Sequence, residues 1–417
     1  MGYQFKRCEG FIYPNTILVL IAMLPALLLP LIEVWVVLGI IAPILLLYTV
    51  YEGERIKIGV SELNRSSSYF NSYVLSIILI LSTFIGVPIY IAGVAIFMLL
   101  GHEFKRSSIF NIGIFTLAAF VYLNFFFLIK NIVISEEFLF FLSLMGGITA
   151  ALVESIEVES DKRTTLLIAT STVLLVFNIY GIYAPFDQLI YAFLFSLLLG
   201  FVAMKTGVAD ESGLMSATLI GTLIIVFTDI RFFLVLASFY IIGSFATKYR
   251  YSLKLNLGIE EPAGGARGYA NVFSNSLPAL FFALNYHVTS LDVFLVAFVA
   301  SIATALGDTL ASEIGKTSGN VYLITNFKPV NPGESGGISV LGEISALVGS
   351  VTVVIFALLL SVLPMSYVPI AIIAGFIGVH VDSFLGATLE RMGYLTNSGV
   401  NFLATMSTIV ICYFLLL

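Results

Sequence analysis

The chain is poor in charge: Asp, Glu, Lys and Arg make up only 11% of its 417 residues. A soluble domain carries about 25%, so a water-soluble globular enzyme is excluded. Cysteine is nearly absent. Cys8 and Cys412 stand at opposite ends, which excludes a disulfide framework and a thiolate zinc site. Three scattered histidines, His102, His287 and His380, exclude a His-rich metal centre. Positive charge is not in excess. The net charge of −6 argues against a nucleic-acid partner. A G-x-x-x-x-G-K-[ST] phosphate loop is missing as well. A cleavable signal pattern is not evident, because Pro14 interrupts early and apolar runs continue. The first helix is expected to serve as the insertion signal.

Apolar sequence is abundant: hydrophobic residues make up 59%. A membrane-crossing helix needs about 20 apolar residues. Candidate segments lie at 11–32, 33–51, 73–86, 87–100, 108–129, 138–153, 164–180, 186–203, 214–228, 232–248, 272–286, 290–306, 339–362, 367–384 and 400–417. Gly86 and Pro88 favour a break between the third and fourth. The expected fold is all-α, a polytopic integral membrane protein of about fifteen transmembrane or re-entrant helices.

Basic residues test this topology. With the N-terminal side taken as inside, the inside loops carry Lys6, Arg7, Arg55, Lys57, Arg65, Lys105, Arg106, Lys162, Arg163, Lys205, Lys248, Arg250, Lys254, Arg267, Lys316, Lys328 and Arg391. Only Lys130 and Arg231 fall outside. So lopsided a split follows the positive-inside rule. The motif-bearing loops 205–213, 249–271, 307–338 and 385–399 then face the cytosol. A prokaryotic plasma membrane is the expected location.

The chain also echoes itself. Gly101-His102 corresponds to Gly307-Asp308, and Gly147…Glu154 to Gly375…Asp382, with the acid seven residues after the glycine in both. The expected division is 1–204 and 205–417, two halves running in the same direction as a parallel repeat.

Acidic residues at membrane depth are costly and usually functional. Gly307–Lys316 follows an apolar run and carries Asp308, Ser312, Glu313 and Lys316. On a helix Asp308, Ser312 and Gly315 share a face. Two carboxylates plus phosphate oxygens are the usual Mg²⁺ ligand set, so Asp308 and Asp382 are the candidate metal ligands. Glu313 lies round the helix from Asp308 and is the candidate base for an alcohol acceptor. Lys328 and the run Gly333, Glu334, Ser335, Gly336, Gly337 supply charge and backbone amides ahead of a helix near Ser339. Arg267, set between glycines, suits a bidentate phosphate clamp, with Asn271 and Asn275 one and two turns on. Asn397 and Asn401 around a helix start either cap it or contact a base or ribose. In the first half Glu154, Glu157, Glu159 and Asp161 cluster with Lys162 and Arg163, and a solvated charge run is the default reading. These groupings suggest a metal–nucleotide site at the membrane surface.

Residues 205–417 resemble the phytyl-phosphate kinase family of prenyl-phosphate kinases. The matching runs are Gly213–Gly221, Gly265–Asn275, Gly307–Glu313, Gly336–Ser339 and Asp382–Thr388. The first half resembles a diverged dolichol kinase or phytol kinase through Leu152–Ser155 and Asp161, with His102 where that group has Asp. The resemblance implies phosphoryl transfer from a nucleoside triphosphate, CTP in the first instance, to a phytyl- or geranylgeranyl-type prenyl monophosphate. Mg²⁺ is the implied cofactor, and a homo-oligomer is compatible with it. The competing readings are a CTP-dependent prenol kinase, a lipid cytidylyltransferase and a secondary transporter. Against transport, the acids gather at one surface rather than at mid-membrane.

Overall fold

The computed structural model describes residues 23–44, 63–104, 107–157 and 161–417. The sequence readings on Lys6, Arg7, Cys8, Arg55, Lys57, Lys105, Arg106 and Glu159 lie outside the described residues. The chain forms two compact units, Met1–Phe186 and Asp187–Leu417. The helix at 186–205, placed with the first half by sequence, thus belongs from Asp187 onward to the second unit.

In the first unit the helices are α1 (23–28), α2 (Val34–Ile44), α3 (Leu63–Leu81), α4 (Ile89–Glu103), α5 (Ser108–Ile129), α6 (Glu136–Ser155) and α7 (Lys162–Tyr180). Gly86 takes φ +105° and Pro88 caps α4, so the break between the third and fourth segments is real. The second unit holds α8 (Phe186–Lys205), α9 (Glu211–Phe227), α10 (Ile230–Lys248), the short α11 (Tyr251–Leu257), α12 (Tyr269–Thr289), α13 (Asp292–Gly315), α14 (Val340–Leu359), α15 (Val368–Leu385) and α16 (Asn397–Leu416). Every expected segment coincides with a helix over its described part. Among the described residues nine helices are long and apolar enough to cross a membrane. This is an integral membrane protein.

The stretch between α13 and α14, read from sequence as a glycine loop, is a small antiparallel sheet. Its strands are β1 (Val321–Leu323), β2 (Pro329–Val330) and β3 (Gly337–Ile338), in the order β2-β1-β3. Val321 pairs with Val330, and Leu323 with Gly337. Ser339 then caps α14 by accepting from the Gly342 amide at 3.1 Å.

The two units share one packing scheme. In the first, α3 packs on α4 and α7, α4 also on α5, α6 and α7, and α6 on α5 and α7. In the second, α12 packs on α13 and α16, α13 also on α14, α15 and α16, and α15 on α14 and α16. The correspondence α3–α7 to α12–α16 is complete, as a parallel repeat requires. Even the caps agree: Asp161 accepts from the Thr164 amide at the start of α7, and Thr396 from the Gly399 amide at the start of α16. Among the described residues the sheet has no counterpart between α4 and α5.

Small residues set the helix separations in the second unit, the usual device where no hydrophobic force drives helices together. A Cβ on Gly349 would sit 2.8 Å from the Gly307 Cα, and one on Gly378 would sit 2.2 Å from Thr304 Oγ1. Gly315 is likewise pressed against Gly342, at 2.9 Å. The glycines flanking Asp308 and Glu313 therefore bring α14 and α15 against α13. This carries Asp382 toward Asp308.

Candidate functional site

A polar cavity of about 540 Å³ opens where α13, α15 and α16 meet the sheet and the 261–271 loop. Asp308 and Asp382 line it, and their carboxylates lie within hydrogen-bonding reach of each other. With its amide turned to donate, Asn401 Nδ2 reaches Asp382 Oδ2 at 3.2 Å and the Asn397 carbonyl at 3.1 Å. Asn397 and Ser312 also line the cavity. The cap of α16 is Thr396, not either asparagine, which leaves both amides facing the cavity.

The glycine stretch Gly333, Glu334, Ser335, Gly336 and Gly337 lines the same cavity. Gly333 and Gly336 take φ of +87° and +76°, a region disfavoured for residues with a Cβ. A side chain on Gly336 would also meet the Ala387 backbone nitrogen at 2.4 Å. Glycine there lets the strand turn close over the end of α15.

The cations are not all where the sequence put them. Lys328 is exposed on the far side of the sheet and does not line the cavity. The hairpin that forms around β1 and β2 turns it outward. Lys316 lines the cavity instead. Its Nζ donates to Glu313 Oε1 at 2.7 Å and to Glu261 Oε1 at 3.2 Å. Glu313 in turn pairs through its other oxygen with Lys254. Lys254 is fully buried and also donates to the Thr247 carbonyl at 2.6 Å. Both Glu313 oxygens are thus committed to ammonium groups, and this carboxylate anchors Lys316 at the cavity.

Sequence reasoning missed Lys254 and Glu261. Lys254 sits on the seven-residue helix α11, about two turns long and too short to stand out by periodicity. Burial acts to raise the Glu261 carboxyl, but its contact with Glu313 and the nearby Lys316 outweigh this, and its pKa lies below the ordinary value.

Arg267 is buried, with its guanidinium over Phe239 at 4.7 Å and Tyr240 at 5.3 Å. Its backbone is clamped to the 208–210 segment: its amide donates to the Val208 carbonyl and its carbonyl accepts from the Asp210 amide. Gly213 permits this, because a Cβ there would lie 2.0 Å from the Arg267 oxygen. Arg267 Nη1 donates to Asn271 Oδ1 at 3.3 Å. Asn275 does not reach the cavity. It is buried within α12, donating to the Asn271 carbonyl at 3.0 Å and to Ser274 Oγ at 3.3 Å.

The charge balance of the cavity decides what it can hold. Seven acids line it, Glu261, Asp308, Glu313, Glu334, Glu343, Asp382 and Glu390, against Arg267 and Lys316. Glu313 and Glu261 are matched by lysines, Glu343 by His380 at 3.1 Å, and Glu334 by Arg391 at 3.5 Å. Among the described residues Asp308, Asp382 and Glu390 have no basic partner. Facing carboxylates of this kind call for a bound cation or a shared proton. Among the described residues no group of three His, Cys, Asp or Glu side chains forms a ready-made metal cage. Two carboxylates completed by a ligand's phosphate oxygens and water is the arrangement that suits Mg²⁺, and the residues present fit it.

In the first unit, the equivalents of Asp308 and Asp382 are His102 and Glu154. They pair with each other. Lys162 Nζ donates to the Glu154 carbonyl at 2.8 Å, and Arg163 pairs with Glu103. The 154–163 charge cluster is thus partly ion-paired and buried, not simply a solvated run. Glu154 and Asp161 are engaged, and among the described residues no glycine-rich strand connection lies between α4 and α5.

Residues 194–409 match the family described as integral membrane protein DUF92. An uncharacterized membrane protein of Methanocaldococcus jannaschii is 28% identical over 220 residues, 52% of this chain and 90% of its own. The chloroplastic protein VTE6 of Arabidopsis thaliana is 31% identical over 213 residues, 49% of this chain and 64% of its own. Protein PGR of Arabidopsis thaliana is 29% identical over 275 residues, 54% of this chain and 95% of its own. No solved structure matches significantly. The family match does not extend to residues before 194.

Proposed function

Because the chain belongs to the DUF92 family of integral membrane proteins, we propose that its second unit is a membrane-embedded phosphotransferase. It moves a phosphoryl group from a nucleoside triphosphate, CTP in the first instance, to a prenyl monophosphate. The observation that carries this reading is the facing pair Asp308 and Asp382, in a cavity that also holds the glycine-rich connection from β2 to β3, Lys316 and Arg267. Phosphoryl transfer asks a protein mainly for positioning and charge neutralisation, and these are the functions the cavity provides.

Asp308 and Asp382 would hold Mg²⁺, which when bound neutralises phosphate oxygens and sharpens the leaving group. Asn401 fixes the Asp382 carboxylate. Lys316, held by Glu313 and Glu261, presents its charge to the donor phosphates. Within Gly333–Gly337 the Glu334 and Gly337 amides are spent on the Asn331 and Glu334 carbonyls, which leaves those of Gly333, Ser335 and Gly336 to suit phosphate oxygens. Arg267 offers its fork to the acceptor phosphate. A phosphate monoester is already ionised near neutral pH, so no general base is needed, and the carboxylate first in line for that role, Glu313, is committed to two lysines. This favours a phosphate over an alcohol as acceptor. The unpaired acids suit a cation-loaded nucleotide, and the cavity faces the cytosol, where such nucleotides are found.

The test uses purified full-length protein with Mg²⁺, geranylgeranyl monophosphate and CTP labelled at either the α or the γ position. Label from the γ position in a lipid diphosphate is the expected result. Label from the α position in lipid would make the protein a cytidylyltransferase. Transfer of neither, by folded protein, would overturn the phosphotransferase reading and favour transport.

A further inference from the structure

Beside the polar cavity lies a second cavity of about 450 Å³, and its walls are almost wholly apolar. It runs between α8, α9 and α10, lined by Ala203, Ala217, Phe233, Leu236, Ala237 and Tyr240 among others. A cleft of this size falls in the range that encloses a small organic ligand, about 300–1,000 Å³. One residue lines both cavities: Arg267.

The state of Arg267 says what passes between them. Buried cations are normally paired. The Arg267 guanidinium is buried, and its one hydrogen bond among the described residues goes to the neutral Asn271. Burial draws its pKa down from the ordinary arginine value, yet arginine stays charged. Gly243 makes room for it, since a Cβ there would lie 2.5 Å from Arg267 Nη2. A buried fork held between aromatic rings, with most of its donors uncommitted, is built to receive an anion. The anion arrives at the head of an apolar cleft. From the Gly243 level the cleft follows α10 to Phe233, ten residues and about 15 Å deeper into the bundle.

We propose that this cleft is the binding groove for the linear isoprenoid chain of the acceptor, with Arg267 gripping its phosphate at the passage into the polar cavity. This rests on the phosphotransferase reading for its choice of a prenyl phosphate over another anionic lipid. Chain length is then read by how far the tail reaches toward Phe233, and Ala237 and Ala217 keep the middle of the groove open.

Two measurements test it. Geranylgeranyl monophosphate carrying a diazirine on its terminal isoprene is photolysed with the wild-type protein, and the modified residues are mapped by mass spectrometry. Labelling is expected on the cleft walls, within 196–209, 213–220 and 233–241. Excess unlabelled geranylgeranyl phosphate should displace it, and phosphatidylglycerol should not. Labelling elsewhere, or equal displacement by phosphatidylglycerol, would overturn the groove. In the second, Ala237→Phe fills the mid-cleft. The ratio of kcat/KM for geranylgeranyl over geranyl phosphate should fall at least about tenfold, the discrimination a hydrophobic pocket can exert. Turnover of the short acceptor serves as the check that the variant is folded. An unchanged ratio would refute the assignment. Specific cleft labelling without phosphoryl transfer would remove the kinase reading and leave the groove. Transfer with labelling elsewhere would do the reverse.

Discussion

The buried Lys254–Glu313–Lys316 chain links a residue outside the cavity lining to the cation that lines it, and Lys254→Met tests that link. Methionine keeps most of the lysine stem but removes the ammonium, which bonds Glu313 and the Thr247 and Ala246 carbonyls at 2.6 and 3.4 Å. Removing one partner of a buried pair costs roughly 3–5 kcal/mol, because the other charge is left uncompensated. Here Glu313 keeps Lys316 at 2.7 Å, so the cost should fall at the lower end, about 3 kcal/mol. Glu313→Gln should cost more, since Lys254 then has no anion and Lys316 keeps only Glu261 at 3.2 Å.

The double variant Lys254→Met/Glu313→Gln removes both charges of the buried pair. It should be less unstable than the sum of the singles, by a coupling of about 1–3 kcal/mol. Cys412 supplies the assay. Its thiol is fully buried on α16, so its reactivity toward a thiol dye reports unfolding as SDS is titrated into mild detergent, with Cys8 replaced by serine. Turnover is the second readout. The double variant should regain stability without regaining rate, because Lys316 has lost its main anchor in both Glu313 variants. Lys254→Met unfolding where wild type does, or a double variant as unstable as the sum, would refute the reasoning.

Asp308→Asn and Asp382→Asn should each lower turnover by at least about 10²–10³-fold, the scale for losing one preorganised electrostatic group, with unfolding unchanged; near-wild-type rates would remove the metal role. Gly349→Ala forces a Cβ onto the Gly307 backbone at 2.8 Å and should cost about 1–3 kcal/mol as overpacking in the same unfolding assay. Gly113→Ala meets nothing within 4 Å and should be neutral or stabilising. His102→Ala should destabilise the first unit, since it breaks a buried pair with Glu154, while leaving phosphoryl transfer within about twofold, the proposed catalytic residues all belonging to the second unit. Glu261 has a lowered pKa in the folded protein, so its contribution is complete above the ordinary carboxylate value of about 4.3. It is lost as pH falls through the lowered folded value. The melting difference between wild type and Glu261→Gln should therefore shrink on acidification below that range, and a difference that grows there would contradict the pairing with Lys316.

The helices were legible because each apolar run is long and bounded by glycine, proline or charge. The break at Gly86 and Pro88 follows from backbone chemistry alone. The aspartate pair was legible for a related reason: a carboxylate after an apolar run is costly, and two of them at helix ends invite a common explanation. The sheet was not legible. Its three strands are two or three residues long, too short for alternation to register, and they hold together through cross-strand pairing and the tight φ of Gly333 and Gly336 rather than through pattern. Lys328 went wrong with it, since a strand turn decides which side a lysine faces. Lys254 and Glu261 were hidden for another reason. They act through contacts 59 and 55 residues distant in sequence, and nothing local marks a lysine that folds inward.

The repeat supplies the sharpest constraint on where chemistry can occur. The same five-helix packing scheme appears twice, yet the paired positions differ in kind: Asp308 with Asp382 in one unit, His102 with Glu154 in the other. A His–Glu pair can be satisfied by the hydrogen bond between its own members, so it does not call for a cation as two facing carboxylates do. An Asp–Asp pair cannot do this and stays dependent on an added positive group. Among the described residues the first unit also lacks the glycine-rich connection that lines the cavity with the aspartates in the second. Both differences point the same way. Restoring the aspartate alone, as His102→Asp, should therefore create a cation-binding pair without phosphoryl transfer, because among the described residues no glycine-rich connection accompanies it. Calorimetry with Mg²⁺ on that variant, in a background where Asp308→Asn and Asp382→Asn silence the second unit, would show binding without turnover. Turnover in that background would mean that the aspartates alone suffice, and that the glycine-rich connection is not part of the chemistry.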